Sequence, residues 1–267
     1  MIKAAVLGSP ISHSLSPLLH NTAYAQIGLS ASYEAIEVKA HSLAKFMDER
    51  DASWTGFSLT MPLKEEAISY AKHVDDLALR INSANTLYRK AEEWYATSTD
   101  VIGFKNALEM HKVEIKGHVV ILGAGATARA AAAACDSSQT QITVINRTLA
   151  RVQAMSDAVI ESELSFLNWD DLSVLADADL VISTAPAGVT DSIELPAKTS
   201  APYFEALYKP WPTPASAMWA SRGGKVIDGL DLLIHQALAQ IAIFSGETFD
   251  SALMYTKLRE VGLAALK

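Results

Sequence analysis

Short apolar runs alternate with segments of helical repeat along almost the whole chain. This alternation predicts an α/β fold in which helices join the strands of a mainly parallel sheet. In the first hundred residues, the apolar runs predict strands near residues 2–7, 33–38, 57–59 and 86–89. The segments between them predict helices near residues 17–27, 42–49 and 63–70.

From residue 101 the alternation becomes more regular. Helices are predicted at residues 101–112 and 127–135, and strands at 118–122, 141–145, 180–184 and 225–227. The last segment, 230–266, is predicted to be helical with a break near Ser245-Gly246. We therefore predict two α/β domains with a junction near residue 100, which a helix carries the chain across. A cleft between two such domains is a usual place for a small-molecule site.

Composition excludes several classes of protein. Half of the 267 residues are hydrophobic, and 22 basic against 30 acidic side chains give a net charge of −8. This charge argues against nucleic acid or an anionic membrane as the main partner. A single cysteine, Cys135, excludes an internal disulfide, and the histidines fit no metal-ligand spacing, so no metal is predicted. No segment fits a signal peptide or a membrane span, and a cytoplasmic location is expected.

A glycine-rich turn follows the strand predicted at residues 118–122. Gly123-Ala124-Gly125-Ala126-Thr127-Ala128 fits the pattern G-x-G-x-x-G/A between a strand and a helix. The first glycine makes the tight turn, the second lets the backbone approach a pyrophosphate, and Ala128 allows close helix packing. The free N–H groups of the helix N-terminus suit phosphate. This context predicts a dinucleotide site in a Rossmann-type, doubly wound domain; the alternative is a turn that binds nothing.

The end of the next predicted strand distinguishes NADP from NAD. An NAD site usually has an Asp or Glu there to hold the ribose 2′-hydroxyl. This chain instead has Asn146-Arg147-Thr148, with Arg151 one helical turn later. Because the planar guanidinium group suits phosphate, the two arginines favour NADP with its 2′-phosphate. The alternative is that both are solvated surface residues.

Small polar residues concentrate at predicted strand ends in the N-terminal half. Ser16 followed by Pro17 predicts a helix N-cap, whereas Ser14 is not explained by capping. Two hydroxyl groups beside a helix N-terminus could instead hold a carboxylate.

Two further polar segments contain candidate catalytic residues. Lys64 is predicted in the first turn of a helix that Pro62 opens, where the helix dipole disfavours a cation. Such a position suits a lysine that exchanges protons, and the alternative is an exposed lysine offset by Glu65 and Glu66. The other segment comprises Asn85-Thr86 and Ser98-Thr99-Asp100. Asp100 is predicted to be either a helix N-cap or a catalytic carboxylate.

Together and in this order, the segments resemble the shikimate dehydrogenase family over nearly the whole chain. Residues 8–21 match the family pattern G-x-P-I-x-H-S-x-S-P-x-x-H-N. The remaining similar segments, with the family patterns in parentheses, are residues 58–64 (N-V-T-x-P-x-K), 84–86 (V-N-T), 98–101 (N-T-D-G), 208–214 (Y-x-P-x-x-T-P) and 229–237 (G-x-x-M-L-x-x-Q-A), together with the glycine turn and Asn146-Arg147-Thr148.

The resemblance implies a reversible reduction of 3-dehydroshikimate to shikimate by NADPH, within chorismate and aromatic amino-acid biosynthesis. It makes residues 1–100 plus 237–267 the substrate-binding and catalytic domain, and residues 101–236 the NADP-binding domain. By analogy, Lys64 and Asp100 are the catalytic pair. The implied substrate-binding residues are Ser14, Ser16, Thr60 and Tyr208 for the carboxylate, and Asn85, Gln236, Lys64 and Asp100 for the ring hydroxyls. The implied cofactor-binding residues are Gly123, Ala124, Gly125, Ala126, Thr127, Asn146, Arg147, Thr148, Arg151 and Gly229.

The chain departs from the family pattern at a few positions. Ser58 and Ser98 stand where Asn is usual, Val101 where Gly is usual, and Glu205 where Asp is usual. Two alternatives remain: a quinate/shikimate dehydrogenase that uses NAD, and a non-catalytic NADP-binding regulator. The two arginines argue against the first and retention of Lys64 and Asp100 against the second. A monomer or homodimer is expected.

Overall fold

The computed structural model describes residues 1–148 and 150–267. The chain divides into two compact units, residues 1–103 with 233–267, and residues 104–232. Both divisions fall inside helices, α5 (Asp100–Met110) and α9 (Gly229–Ser245). They lie three and four residues from the domain limits expected from the sequence, 100 and 237.

The first unit contains a mixed sheet. Its strands are β1 (Ile2–Gly8), β2 (Ala31–Glu37), β3 (Gly56–Leu59), β4 (His73–Val74), β5 (Thr86–Lys90) and β6 (Glu93–Thr97), in the order β2-β1-β3-β5-β6-β4. Strand β1 is parallel to β2 and β3, whereas β5 is antiparallel to both β3 and β6. The carboxyl ends of β1, β3 and β6 and the start of β5 therefore lie at one edge of the sheet.

Helices and buried side chains cover this sheet. The helices are α1 (Ser16–Gln26), α2 (Leu43–Asp48), α3 (Glu66–Tyr70), α4 (Asp76–Arg80) and α10 (Ser251–Ala265), with the ends of α5 and α9 that belong to the unit. Leu7 and Phe57 are fully buried, and the Phe57 ring stacks on Trp54 with centroids 4.7 Å apart. Burial of each such side chain stabilises the fold by roughly 1.5–3 kcal/mol, which makes this core a rigid support for the sheet edge.

The second unit is a parallel sheet with doubly wound topology. Its strands are β7 (Gly117–Leu122), β8 (Thr140–Asn146), β9 (Glu163–Asn168), β10 (Leu180–Ser183), β11 (Tyr203–Glu205) and β12 (Val226–Ile227), and its own helices are α6 (Ala126–Cys135), α7 (Val152–Asp157) and α8 (Pro214–Ser221). The order β12-β11-β10-β7-β8-β9 reverses direction between β7 and β10. Ligands of such sheets bind outside the strand ends at this switch point. The predicted α/β fold with a Rossmann-type unit is confirmed.

In the described part of the chain, no helix combines the length and the apolar character needed to cross a membrane.

Candidate active site and dinucleotide-binding turn

A buried ion pair lies at the sheet edge of the first unit. Lys64 Nζ is 2.6 Å from Asp100 Oδ2, and the two side chains are 14% and 7% exposed. Lys64 lies in the turn between β3 and α3, where its backbone carbonyl accepts a hydrogen bond from Ala84 N. The turn therefore ties the lysine to the segment that precedes β5.

The predicted helical position of Lys64 is wrong. Leu63 N donates to Thr60 O and closes a turn, and α3 begins only at Glu66. Because Lys64 precedes this five-residue helix, the helix-dipole argument does not apply to it. The Asp100 carboxylate accounts for its position instead.

Asp100 is the first residue of α5, and its two carboxylate oxygens have different partners. Oδ2 binds Lys64, and Oδ1 accepts a hydrogen bond of 2.8 Å from Asn85 Nδ2. The alternative that Asp100 is an N-cap is wrong. Gly103 N donates to Thr99 O, so the residue that precedes the helix is Thr99 and Asp100 lies inside it. A negative charge at a helix N-terminus is stabilised by the helix dipole.

Asn85 and Gln236 complete this cluster. Asn85 is buried, and its Nδ2 also lies 2.9 Å from Thr99 Oγ1 and 3.3 Å from Gln236 Oε1. Gln236, on α9, donates from Nε2 to Leu233 O. The first unit thus brings together Lys64 and Asp100, predicted to be catalytic, with Asn85 and Gln236, predicted to bind ring hydroxyls.

Three of the four predicted carboxylate-binding hydroxyls, those of Ser14, Ser16 and Thr60, lie near the ends of β1 and β3. Helix α1 begins at Ser16 with Leu15 at the N-cap, so the N-cap predicted at Ser16 is wrong by one residue. Ser14, expected to have no part in capping, accepts a hydrogen bond of 3.3 Å from Ser16 N. Thr60 follows β3 and donates from its backbone N to Leu7 O, which places it beside β1. These hydroxyls and the Lys64 cluster share the same edge of the sheet.

The glycine turn of the second unit lies at the switch point. Gly123 follows β7 with φ +111°, and a Cβ at this position would lie 2.7 Å from Thr184 Oγ1, just after β10. Gly125 is the N-cap of α6 and offers no side chain to the first N–H groups of the helix. Its backbone is open except on the side of Arg151, whose Nη1 lies 3.7 Å from the position that a Cβ would take.

This turn meets the requirements of a dinucleotide pyrophosphate. Two glycines that leave the backbone accessible and the positive end of a helix favour bound pyrophosphate, and the nearby guanidinium group suits a further phosphate. Asn146 ends β8 and donates from Nδ2 to Thr148 O, while Arg147 and Thr148 are exposed. In the same unit, Gly229 is the first residue of α9, and a Cβ on it would clash with the backbone of Ala206. Tyr208 lies in the loop after β11.

The sequence did not single out Gln240. It lies one helical turn after Gln236 on α9 and is buried. Its amide contacts Ser58, Thr86 and the Asn85 backbone carbonyl. The four-residue spacing from Gln236 could have indicated it, because residues i and i+4 share one face of a helix.

Among the described residues, no group of three His, Cys, Asp or Glu side chains is arranged to hold a metal ion. One chain thus carries a doubly wound unit with a glycine turn at its switch point and a unit with a buried Lys–Asp pair. These two features define an α/β protein of the dinucleotide-dependent oxidoreductase class.

Comparison with known proteins identifies the family. The family described as "shikimate dehydrogenase substrate binding domain" matches residues 6–87, and "shikimate / quinate 5-dehydrogenase" matches residues 107–190. Shikimate dehydrogenase (NADP(+)) of Thermosynechococcus vestitus is 34% identical over 270 residues, which cover 95% of this chain and 93% of that protein. The chain belongs to the shikimate dehydrogenase family, as its motifs predicted.

Solved structures agree with this assignment. Shikimate dehydrogenase of Mycobacterium tuberculosis has a TM-score of 0.85 at 34% identity, covering 98% of this chain and all of that one (100%). Shikimate 5-dehydrogenase of Thermus thermophilus, solved in complex with NADP(H) and shikimate, has a TM-score of 0.87 at 30% identity, covering 97% and 99%.

Proposed function

We propose that this chain catalyses the NADPH-dependent, reversible reduction of 3-dehydroshikimate to shikimate in chorismate biosynthesis. The observation that carries this proposal is the buried Lys64–Asp100 pair beside Asn85 and Gln236, in a chain of the shikimate dehydrogenase family. NADPH, when bound, supplies the hydride that reduces the carbonyl carbon.

Lys64 is the proton donor in this proposal. As the carbonyl is reduced, its oxygen gains negative charge that needs both a proton and a nearby cation. The Lys64 ammonium group provides both, and in the oxidative direction the free amine takes the proton back. Asp100 holds the ammonium group in place through the 2.6 Å contact.

The remaining polar residues would orient the substrate. Asn85 and Gln236 hold ring hydroxyls next to the ion pair, since both amides already face that cluster. The substrate carboxylate is held by hydroxyl groups, assisted by the positive end of α1. These hydroxyls belong to Ser14, Ser16, Thr60 and Tyr208.

The second unit would bind NADP. The turn from Gly123 to Thr127 holds the pyrophosphate, Arg147 and Arg151 hold the 2′-phosphate, and β8 ends without a carboxylate for an NAD ribose. The other residues proposed to line this site are Asn146, Thr148 and Gly229. The first unit then carries the catalytic pair and the other substrate-binding residues, and the second carries the cofactor site and Tyr208, in a cytoplasmic monomer or homodimer.

Initial rates of the purified protein test this proposal. The nicotinamide absorbance is followed with shikimate or quinate and with NADP⁺ or NAD⁺, in all four combinations. The initial rate with shikimate and NADP⁺ is expected to exceed the rates of the other three combinations. A preference for quinate and NAD⁺ would replace the proposal with the quinate/shikimate enzyme. No turnover in any combination, with NADP⁺ still bound, would favour a non-catalytic protein.

A further inference from the structure

A continuous path of buried hydrogen bonds leads from Asp100 to Gln240. Asn85 donates from Nδ2 to Asp100 Oδ1 at 2.8 Å, and its Oδ1 accepts from Thr86 Oγ1 at 2.8 Å. Thr86 Oγ1 in turn accepts from Gln240 Nε2 at 2.9 Å. Asn85, Thr86 and Gln240 are each at most 2% exposed, so water cannot replace these partners.

The path continues beyond Gln240 to a buried phenol. Ser58 Oγ donates to Gln240 Oε1 at 2.7 Å and accepts from Tyr33 OH at 2.6 Å. Burial raises the pKa of Tyr33 above its ordinary value, so the phenol stays protonated and remains a donor. Ser58 stands where the family usually has Asn, and its one hydroxyl group is committed to these two neighbours.

Backbone groups fix the orientation of the two side-chain amides in the path, those of Asn85 and Gln240. Thr99 N, which can only donate, lies 2.8 Å from Asn85 Oδ1. The backbone carbonyl of Asn85, which can only accept, lies 3.0 Å from Gln240 Nε2. Neither amide can therefore be reversed, and the NH₂ group of Asn85 must face Asp100. A reversed Asn85 would place its oxygen against the carboxylate and repel it.

We propose that Gln240 is a positioning residue for the Lys64–Asp100 pair and acts through Thr86 and the side-chain amide of Asn85. The Thr86 hydroxyl group has one hydrogen, and it points that hydrogen at Asn85 Oδ1 because Gln240 occupies its acceptor side. Ser58 fixes Gln240 in the same way from the other end. In a buried network such bonds are mutually reinforcing, and one missing partner leaves the others unsatisfied.

Gln240→Met and Thr86→Val test this role, which rests on the proposed function. Both variants keep side-chain size while removing the polar atoms of the path. For each, kcat with shikimate and NADP⁺ is expected to fall roughly ten- to a hundredfold, the scale of one or two lost buried hydrogen bonds. KM for shikimate should change by less than about threefold, because the contacting residues remain.

Two controls separate positioning from simple destabilisation. Thr143→Val removes a buried hydroxyl group that forms hydrogen bonds with His118 and Ser165 in the second unit. It should lower thermal stability about as much as Gln240→Met and Thr86→Val do, but leave kcat unchanged. The kcat pH profile is the second control. It should differ from the wild-type profile in Gln240→Met and Thr86→Val and match it in Thr143→Val.

The side-chain amide resonances of Asn85 provide a readout that does not need activity. They are expected to shift in both variants and to stay unchanged in Thr143→Val. If the wild type does not oxidise shikimate, the proposed function fails, and these resonances alone decide the inference. Wild-type resonances in Gln240→Met, or a folded Gln240→Met enzyme with wild-type kcat and pH profile, would overturn it.

Discussion

The guanidinium group of Arg151 lies beside Gly125, with Nη1 3.7 Å from the position that a Cβ on Gly125 would take. A positively charged side chain thus lies next to Gly125 in the glycine turn. Together with Arg147 after β8, it gives this end of the sheet a positive charge where an NAD site would have a carboxylate. This arrangement favours a cofactor with an additional phosphate.

Arg151→Ala is expected to raise KM for NADP⁺ about ten- to a hundredfold, the scale of a lost charge-assisted hydrogen bond. Arg147→Ala should act in the same direction. KM for NAD⁺ should change little, because only NADP carries the 2′-phosphate. Steady-state rates with each cofactor give both values, with Arg50→Ala in the first unit as the control. Equal losses for the two cofactors would show that neither arginine distinguishes them.

Local signals made the glycine turn predictable. A strand, two glycines and an alanine-rich helix follow one another within twenty residues, and β7, the turn and α6 formed nearly as predicted. The mainly parallel sheet was predicted less well in the first unit, where β5 and β6 form an antiparallel hairpin. Its turn residues Ala91 and Glu92 both have positive φ, a conformation that Asn-Gly usually signals and this sequence does not.

The elements missed by sequence reasoning were short or weakly patterned. Strands β4 and β11 have two and three residues, and β9 alternates exposed with half-buried positions, which gives no continuous apolar run. At the candidate site, Lys64 and Asp100 were each predicted to be catalytic, but with alternatives of equal weight. Their pairing joins residues 36 apart in sequence, and only tertiary structure could establish it.

His20 makes the stability of the first unit dependent on pH. Burial lowers its pKa from 6.5 to about 3, opposed by its contact with Gln240, and its ring stacks on Tyr33. Between these two values the unfolded chain binds a proton that the folded chain does not, so stability falls as pH decreases from 6.5 toward 3. Free energies of unfolding in denaturant are compared at pH 7.5 and pH 4.5. The loss of stability on acidification should be smaller for His20→Phe than for the wild type.

An exposed histidine provides the control for this prediction. His13→Gln should lose as much free energy of unfolding on acidification as the wild type, because His13 is exposed. An equal loss in His20→Phe and the wild type would exclude His20 as a source of the acid sensitivity.

Glu205 should have the opposite effect in the second unit. Burial raises the pKa of its carboxyl group, although Leu207 N and Thr213 Oγ1 donate hydrogen bonds to it. The folded chain therefore holds the proton more tightly than the unfolded chain, whose Glu value is 4.5. This contribution to stability is full below pH 4.5 and is lost as pH rises through the raised value.

Glu205→Gln removes the titrating group while keeping the shape of the side chain. Relative to the wild type, its melting temperature should improve more at pH 8 than at pH 5. Thermal unfolding followed by circular dichroism at the two pH values measures this difference. If the difference in melting temperature between Glu205→Gln and the wild type is the same at pH 5 and pH 8, Glu205 does not titrate in this range.

Lys64→Ala tests the central claim, that Lys64, held in place by Asp100, takes up the proton during shikimate oxidation. Single-turnover and steady-state rates with shikimate and NADP⁺ should show kcat reduced by roughly 10²–10⁴-fold, the usual contribution of a general acid–base residue. Lys72→Ala, which removes an exposed ion-paired lysine, should keep the wild-type rate. A folded Lys64→Ala protein with wild-type kcat would contradict the claim and remove Lys64 from the mechanism.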